Sequence, residues 1–325
     1  MSEIKSCKRC ILFVNLHKKD ASVLSDQIKD ELVKEGIEVV VYSFYGNPSS
    51  GRSSPQEAPP SGSWDIAFSL GGDGTVLYTA RTLARENLSL LAAKSPAQNI
   101  HSGVPIIPVN LGSVGFLAEV EKDNWYDIFK KWKEGSIIPS SRCMFSVAVE
   151  RGSKITMENF CLNDTVVSCT GIAKLIRLKV HLTDHREQLT ESNEINVDSE
   201  FMLGYYRCDG LIISTPTGST AYSMAAGGPI LDPEMDAVII NPICPFTLSN
   251  RPYVLTSKQT IVISVAEEQK SGVLLTIDGQ DIFNLECDDR IIITQSPYNA
   301  QLILPGKHAY YSALRNKLFW SGDVH

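Results

Sequence analysis

The sequence predicts an α/β domain built on a parallel sheet, followed by a second, mostly antiparallel β-rich domain. Three observations carry that prediction. The chain opens strand–helix–strand. A glycine turn then joins a wholly apolar strand to a helix within Trp64–Arg81 (WDIAFSLGGDGTVLYTAR). From Arg142 onward, apolar residues alternate in short runs with few helical intervals.

Arg9–Asn15 (RCILFVN) reads as the first strand. Asp20–Glu35 follows as an amphipathic helix with Val23, Leu24, Ile28, Leu32 and Val33 on one side, closed by Gly36. Ile37–Tyr42 is the second strand, and a right-handed crossover sets the two strands parallel. Residues 46–63 (GNPSSGRSSPQEAPPSGS) read as a mobile loop, a linker or a lid. Ile66–Leu70 is a strand apolar on both faces, and the helix after it runs from Thr75 to Arg85. Residues 86–103 read as irregular. Val104–Asn110 (VPIIPVN) is a strand running into LGSVGFLAEV, and Asn124–Lys133 is a short helix.

The second domain is read from MFSVAVER, ITMENFCLNDTVVS, KLIRLKVHLTD, CDGLIIS, TIVISV, VLLTID, RIIITQS and AQLIL. Ala309–Trp320 (AYYSALRNKLFW) has a helical pattern and is expected to pack back on the first domain. The expected division is therefore 1–138 with 306–325, and 139–305. A length of 325 residues accommodates two domains of ordinary size.

Composition narrows the class. Hydrophobic residues make up 43% and charged residues 21%, ordinary values for a globular protein, and the net charge of −7 argues against a nucleic-acid surface. No apolar run is long enough to cross a bilayer. Eight cysteines lie scattered, mostly in apolar runs, as free thiols of a reducing compartment do. Cys7 and Cys10 form a CxxC, but no second pair completes a zinc site. The expected location is cytoplasmic.

The chemistry concentrates at two glycine-containing loops. Gly71, Gly72 and Gly74 let backbone amides approach an anion, and the helix they open adds partial positive charge. Asp73 at the tip repels phosphate, so it reads as a general base toward an attacking hydroxyl or as a helix cap. Gly112 and Gly115 end a neighbouring strand at the same sheet edge, where ligands of open parallel sheets bind. The second loop is Asp209–Leu231 (DGLIISTPTGSTAYSMAAGGPIL). Its hydroxyls, its exposed amides and the aromatic ring of Tyr222 suit ribose, phosphate and base, while the small residues Ala221, Ala225 and Ala226 imply a buried, closely packed loop whose hydroxyls need partners, a ligand being one candidate.

Together these segments resemble the NAD kinase family. GGDGT, NLGSVGFL, LNDTVVS, DGLIISTPTGSTAYSMAAGGPIL and PICPFTLSNRP occur in the family's order and spacing, from Arg9 to about Trp320. GGDGT has relatives in diacylglycerol kinases, sphingosine kinases and phosphofructokinases, whereas TPTGSTAYS with GGPI behind it is specific. The resemblance implies an α/β N-terminal domain and a β-sandwich-like C-terminal domain. It implies transfer of the γ-phosphoryl of ATP, with a divalent metal such as Mg²⁺, to the 2′-hydroxyl of the adenosine ribose of NAD, in a homodimer or homotetramer.

By the same resemblance, Asp73 is the general base, and Gly71, Gly72, Gly74 and Thr75 form the phosphate turn. Asn163, Asp164 and Phe116 surround the adenosine part of NAD. Thr217, Thr220, Ala221, Tyr222, Ser223 and Ala225 match the loop around the dinucleotide, and Asp209 matches an acidic contact. Arg207, Gln280 and Lys174 fall at further contact positions. Phe246 stands where the family often has histidine. A lipid kinase and a non-catalytic NAD sensor are the rival readings. The first lacks a basic amphipathic helix, and the second leaves Asp73 without a task.

Overall fold

The structure, a computed structural model, describes residues 6–46, 58–92, 101–112, 115–171, 175–184, 200–247, 250–266, 269, 272–306 and 309–319. Most of the loop read at 46–63, residues 93–100 of the stretch read as irregular at 86–103, and Lys174 lie outside the described residues; the rest of 86–103 is not irregular, residues 86–92 being helix and residues 101–103 strand.

The chain forms two compact units, residues 142–299 making one and the flanking segments the other. The first unit begins with β1 (Arg9–Asn15), α1 (Ala21–Lys34), β2 (Glu38–Phe44), β3 (Ile66–Gly71) and α2 (Asp73–Ala92). It continues through β4 (His101–Asn110), β5 (Val120–Glu121), α3 (Trp125–Lys133) and β6 (Ser140–Arg142). β1 pairs in parallel with β2 and β3, β3 with β4, and β4 with β5. β3 is buried along its whole length, as a central strand covered on both faces must be. α1 covers the sheet with Leu24, Ile28 and Leu32, and α3 with Trp125, Ile128, Phe129 and Trp132. Val23 and Val33, expected on the covered side of α1, are exposed, because each lies about 100° around the helix from its buried neighbour.

α2 runs seven residues beyond the expected Arg85, to Ala92. No glycine or proline interrupts the chain before Pro96, so nothing in the sequence stops the helix earlier.

The second unit is built from β7 (Phe145–Arg151), β8 (Lys154–Cys161), β9 (Asp164–Cys169), β10 (Ile176–Asp184), β11 (Phe201–Cys208) and β12 (Gly210–Ser214). A one-turn helix α4 (Tyr222–Ala225) precedes β13 (Ala237–Ile243), β14 (Tyr253–Thr256) and β15 (Gln259–Val265). β16 (Val273–Ile277), β17 (Asp281–Leu285) and β18 (Arg290–Gln295) complete it. Two six-stranded sheets result, ordered β11-β10-β15-β18-β7-β8 and β14-β13-β12-β9-β16-β17. Phe145, Val147 and Val149 of one sheet share a core with Val167, Leu211 and Ile213 of the other, which makes a sandwich.

The chain then returns to the first unit. β19 (Tyr298–Leu302), read from the sequence as a strand of the β-rich domain, lies between β4 and β6 in the first sheet. Its alternation cannot reveal its sheet; the Ile303 N–H, donating to the Ile106 carbonyl at 2.8 Å, does. α5 (Ala309–Lys317) follows, with Tyr310 and Leu314 buried in the first unit.

Candidate active site

In the first unit the site grows from the carboxyl ends of β1, β3 and β4. The register pairs Val14 with Leu70 and Gly71 with Asn110, so the three strands stop at one level. Asn15 Nδ2 reaches Thr75 Oγ1 at 3.4 Å, and the Leu111 N–H donates to the Gly71 carbonyl at 2.8 Å, tying the three ends together. At Gly71 a Cβ would come within 2.1 Å of Thr75 Oγ1, so only glycine allows the turn to close on the helix. At Gly72 a Cβ would meet nothing within 4 Å, and the outer side of the turn is open to a ligand.

Asp73 is held on the inner side. Its Oδ2 accepts the Phe116 N–H at 2.8 Å, and its Oδ1 accepts those of Leu117 at 3.2 Å and Ala118 at 3.0 Å. Successive amides aimed at one anion form a nest. A Cβ on Gly115 would stand 1.7 Å from Asp73 Oδ1, so the glycine makes room for the carboxylate. A carboxylate has about four lone-pair sites, and among the described residues three are used, with one left on Oδ2. The reading of Asp73 as an N-terminal helix cap is replaced by this arrangement: its side chain binds another loop. The ring of Phe116 carries the Lys317 ammonium 4.2 Å from its centroid.

In the second unit, Asn163, Asp164, Ala221 and Tyr222 come together around a cavity of about 320 Å³. Ser168, Thr276 and the turn Asp278–Gly279 also line it, and the sequence reading missed them. Asp278 organises the polar end. Its carboxylate accepts the N–H groups of Leu162, Asn163 and Asp164 at 2.8–3.2 Å, and its own N–H donates to the Asp164 carbonyl at 2.9 Å. Its φ of +51° is left-handed, which Asp tolerates better than most residues. The Asp164 carboxyl is buried, and its pKa is pushed up to about 7, first by burial and then by the negative charge of Asp278.

The hydroxyl-rich loop is packed by the protein itself. Thr215 Oγ1 donates to the Leu162 carbonyl and accepts the Gly218 N–H at 3.1 Å. Ser219 Oγ accepts the Leu231 N–H at 3.0 Å, Thr220 Oγ1 donates to the Thr217 carbonyl at 3.3 Å, and Ser223 Oγ accepts from Asn241 Nδ2 at 3.2 Å. Gly218 lies so close to the Asn163 carbonyl that a Cβ would come within 2.0 Å. Thr217 Oγ1 is buried with no hydrogen-bond partner among the described residues. The need of buried hydroxyls for partners, for which a ligand is one candidate in the sequence, is thus met internally at Thr215, Ser219, Thr220 and Ser223. Ala225, expected in the packed interior of the loop, is exposed on α4.

The remaining candidates of this unit lie outside the cavity lining. Arg207 packs its guanidinium 4.6 Å from the centroid of the exposed Phe246 ring, and Asp209 is exposed between β11 and β12. Gln280 closes the turn after Gly279, its N–H donating to the Ile277 carbonyl at 2.9 Å. Among the described residues no three His, Cys, Asp or Glu side chains gather as metal ligands. Cys10 is fully buried with its pKa pushed well up by burial, and burial likewise raises Cys7 to about 11, so the CxxC stays protonated.

An open glycine turn at the carboxyl edge of a parallel sheet, in a chain that also folds a mostly apolar cavity with a polar end into an antiparallel sandwich, defines a nucleotide-binding protein of α/β-plus-β architecture. Comparison with known proteins narrows the class. Residues 10–137 match the ATP-NAD kinase N-terminal domain and residues 179–304 the ATP-NAD kinase C-terminal domain. The NAD kinase of Treponema denticola is 36% identical over 97% of this chain and 98% of its own length. That of Geobacter sulfurreducens is 31% identical over 96% and 99%. Yeast NADH kinase complexed with NADH superposes with a TM-score of 0.72 at 18% identity, over 99% of this chain and 90% of that one. An NAD kinase from Archaeoglobus fulgidus in complex with ATP superposes with a TM-score of 0.62 at 22% identity, over 94% and 97%. The chain belongs to the ATP-NAD kinase family.

Proposed function

We propose that Asp73 is the general base in the family's reaction, the ATP-dependent phosphorylation of NAD to NADP. NADP differs from NAD by a phosphate on the 2′-oxygen of the adenosine ribose, so that hydroxyl is the acceptor. Its proton passes to Asp73 Oδ2 while its oxygen bonds the γ-phosphorus of ATP, and the bond from that phosphorus to the β–γ bridging oxygen breaks, releasing ADP. The observation that carries this reading is the nest of Phe116, Leu117 and Ala118 amides, which fixes the carboxylate and leaves one acceptor position on Oδ2.

The phosphates of ATP lie on the outer side of the Gly71–Thr75 turn, and a divalent cation, Mg²⁺ by the hardness of its oxygen ligands, neutralises their charge. Asn163, Asp164, Ala221 and Tyr222 hold the adenosine part of NAD, and Phe116, whose N–H binds Asp73, offers apolar surface to NAD. The unpartnered Thr217 hydroxyl supports a polar contact from the loop, whereas Thr220, Ser223 and Ala225 shape it. Arg207, Asp209 and Gln280 are contacts to the rest of the dinucleotide. The protein acts in the cytoplasm, a reading supported by eight cysteines that form no disulfide. It acts as a homodimer or homotetramer, supported by the edge strand β11 with Phe201, Met202 and Tyr205 exposed. Sedimentation equilibrium giving a monomer overturns that last assignment. The activity is read by incubating NAD, ATP and Mg²⁺ with the purified protein and assaying NADP with an NADP-specific dehydrogenase. Absence of NADP overturns it.

A further inference from the structure

We propose that Lys18 is a phosphate-binding residue, its ammonium lying over the Gly71–Gly74 turn to neutralise the polyphosphate of ATP. The proposal rests on the reading of that turn as the phosphate turn. Lys18 lies just past the end of β1, and its N–H donates to the Asn15 carbonyl at 3.0 Å, folding the loop back over the strand end. Its ammonium stands 3.2 Å from where a Cβ of Gly112 would be, beyond the end of β4. β1 and β4 are not neighbours, because β3 lies between them. With strands about 4.8 Å apart, some ten ångströms separate the ends of β1 and β4. The Lys18 side chain therefore crosses the end of β3, where Gly71–Gly74 turns into α2.

Charge balance points the same way. The surface lysines Lys34, Lys122, Lys131 and Lys133 each have a carboxylate within 4 Å. Lys18 is half-buried, yet among the described residues it has no such partner. A partly desolvated ammonium without a counter-ion is costly until an anion arrives. Asp73, the carboxylate of this turn, is engaged with its three amides. A lysine acts on phosphate as a flexible point charge, which suits a group that moves between ATP and ADP. Gly112 leaves the ammonium room, whereas the adjacent Lys19 is exposed and provides a control.

The test uses the full chain and its variants Lys18→Ala, Lys18→Gln, Lys18→Arg and Lys19→Ala. NADP formation is followed with ATP and NAD varied separately, and binding of ADP and of adenosine is measured by calorimetry. Losing a charge-assisted phosphate contact weakens ADP and raises KM for ATP about tenfold or more in Lys18→Ala and Lys18→Gln. Adenosine affinity and KM for NAD stay within about twofold of wild type, Lys18→Arg retains most ATP affinity, and Lys19→Ala is unchanged. Wild-type ADP affinity and KM for ATP in both Lys18→Ala and Lys18→Gln overturn the proposal. A change confined to KM for NAD overturns it too, because it moves the ammonium to the dinucleotide. A wild-type protein that makes no NADP sinks the activity instead, and the ADP and adenosine measurements still decide the role of Lys18.

Discussion

Gly115 and Asp73 share one space: a methyl group on the glycine would stand 1.7 Å from the Asp73 Oδ1 atom. The nest of amides around the carboxylate exists because residue 115 has no side chain. Gly115→Ala must push either the carboxylate or the loop aside. A displacement of about 1 Å at a reacting group costs on the order of a hundredfold in rate. We therefore expect Gly115→Ala to lose about that much kcat while remaining folded. Wild-type kcat in a folded Gly115→Ala protein contradicts the arrangement.

Asp278 plays the corresponding part in the sandwich. Its carboxylate satisfies three N–H groups of the segment Leu162–Asp164, two of them at buried residues. Asp278→Ala strands these donors, and the expected loss of stability is about 3 kcal/mol or more. Asp278→Asn keeps one acceptor oxygen and the left-handed backbone, so its loss is smaller. Urea unfolding of the two variants checks the order, and equal stabilities would remove the staple from the account.

Asp164 makes stability depend on pH. Its carboxyl titrates near 7 in the folded protein, whereas an unfolded chain has an ordinary carboxyl near 3.9. Between these values the folded state keeps a proton that the unfolded state has released. This group's contribution is undiminished below about 4, falls as pH rises, and reaches its full penalty above about 7. Asp164→Asn removes the ionisation, so relative to wild type it gains stability between pH 4 and pH 8, on the order of a few kcal/mol. Denaturant midpoints across that range measure the gain, and parallel wild-type and variant curves contradict it.

Much of this was legible from local pattern. β1 spans Arg9–Asn15 as expected, because an apolar run bounded by polar residues leaves little choice of ends. The glycine turn at Gly71–Gly74 was legible for the same reason, as a break between a strand and a helix. Contacts between distant segments were not. Asp278 was passed over in TIDGQ, where only Gln280 was singled out, because its partners lie 114–116 residues away. The Asp-Gly pair after an apolar strand was the available signal, a left-handed turn in which the acid has a reason to stay. From the sequence a ligand is one candidate partner for the Thr and Ser hydroxyls of the second loop, since no local rule reveals that Leu162 and Leu231 pair with them. Lys18 lay in a polar run after β1 and had no signal until the strand order brought it to Gly112.

The proposed role of Asp73 is to take the proton from the acceptor hydroxyl of NAD. The direct measurement compares wild type and Asp73→Asn for NADP formation from NAD, ATP and Mg²⁺, with NAD affinity determined on the same proteins. A general base contributes about 10²–10⁴ in rate, so the variant should lose at least a hundredfold in kcat while NAD affinity stays within about twofold. An Asp73→Asn protein that forms NADP at the wild-type rate would contradict the account.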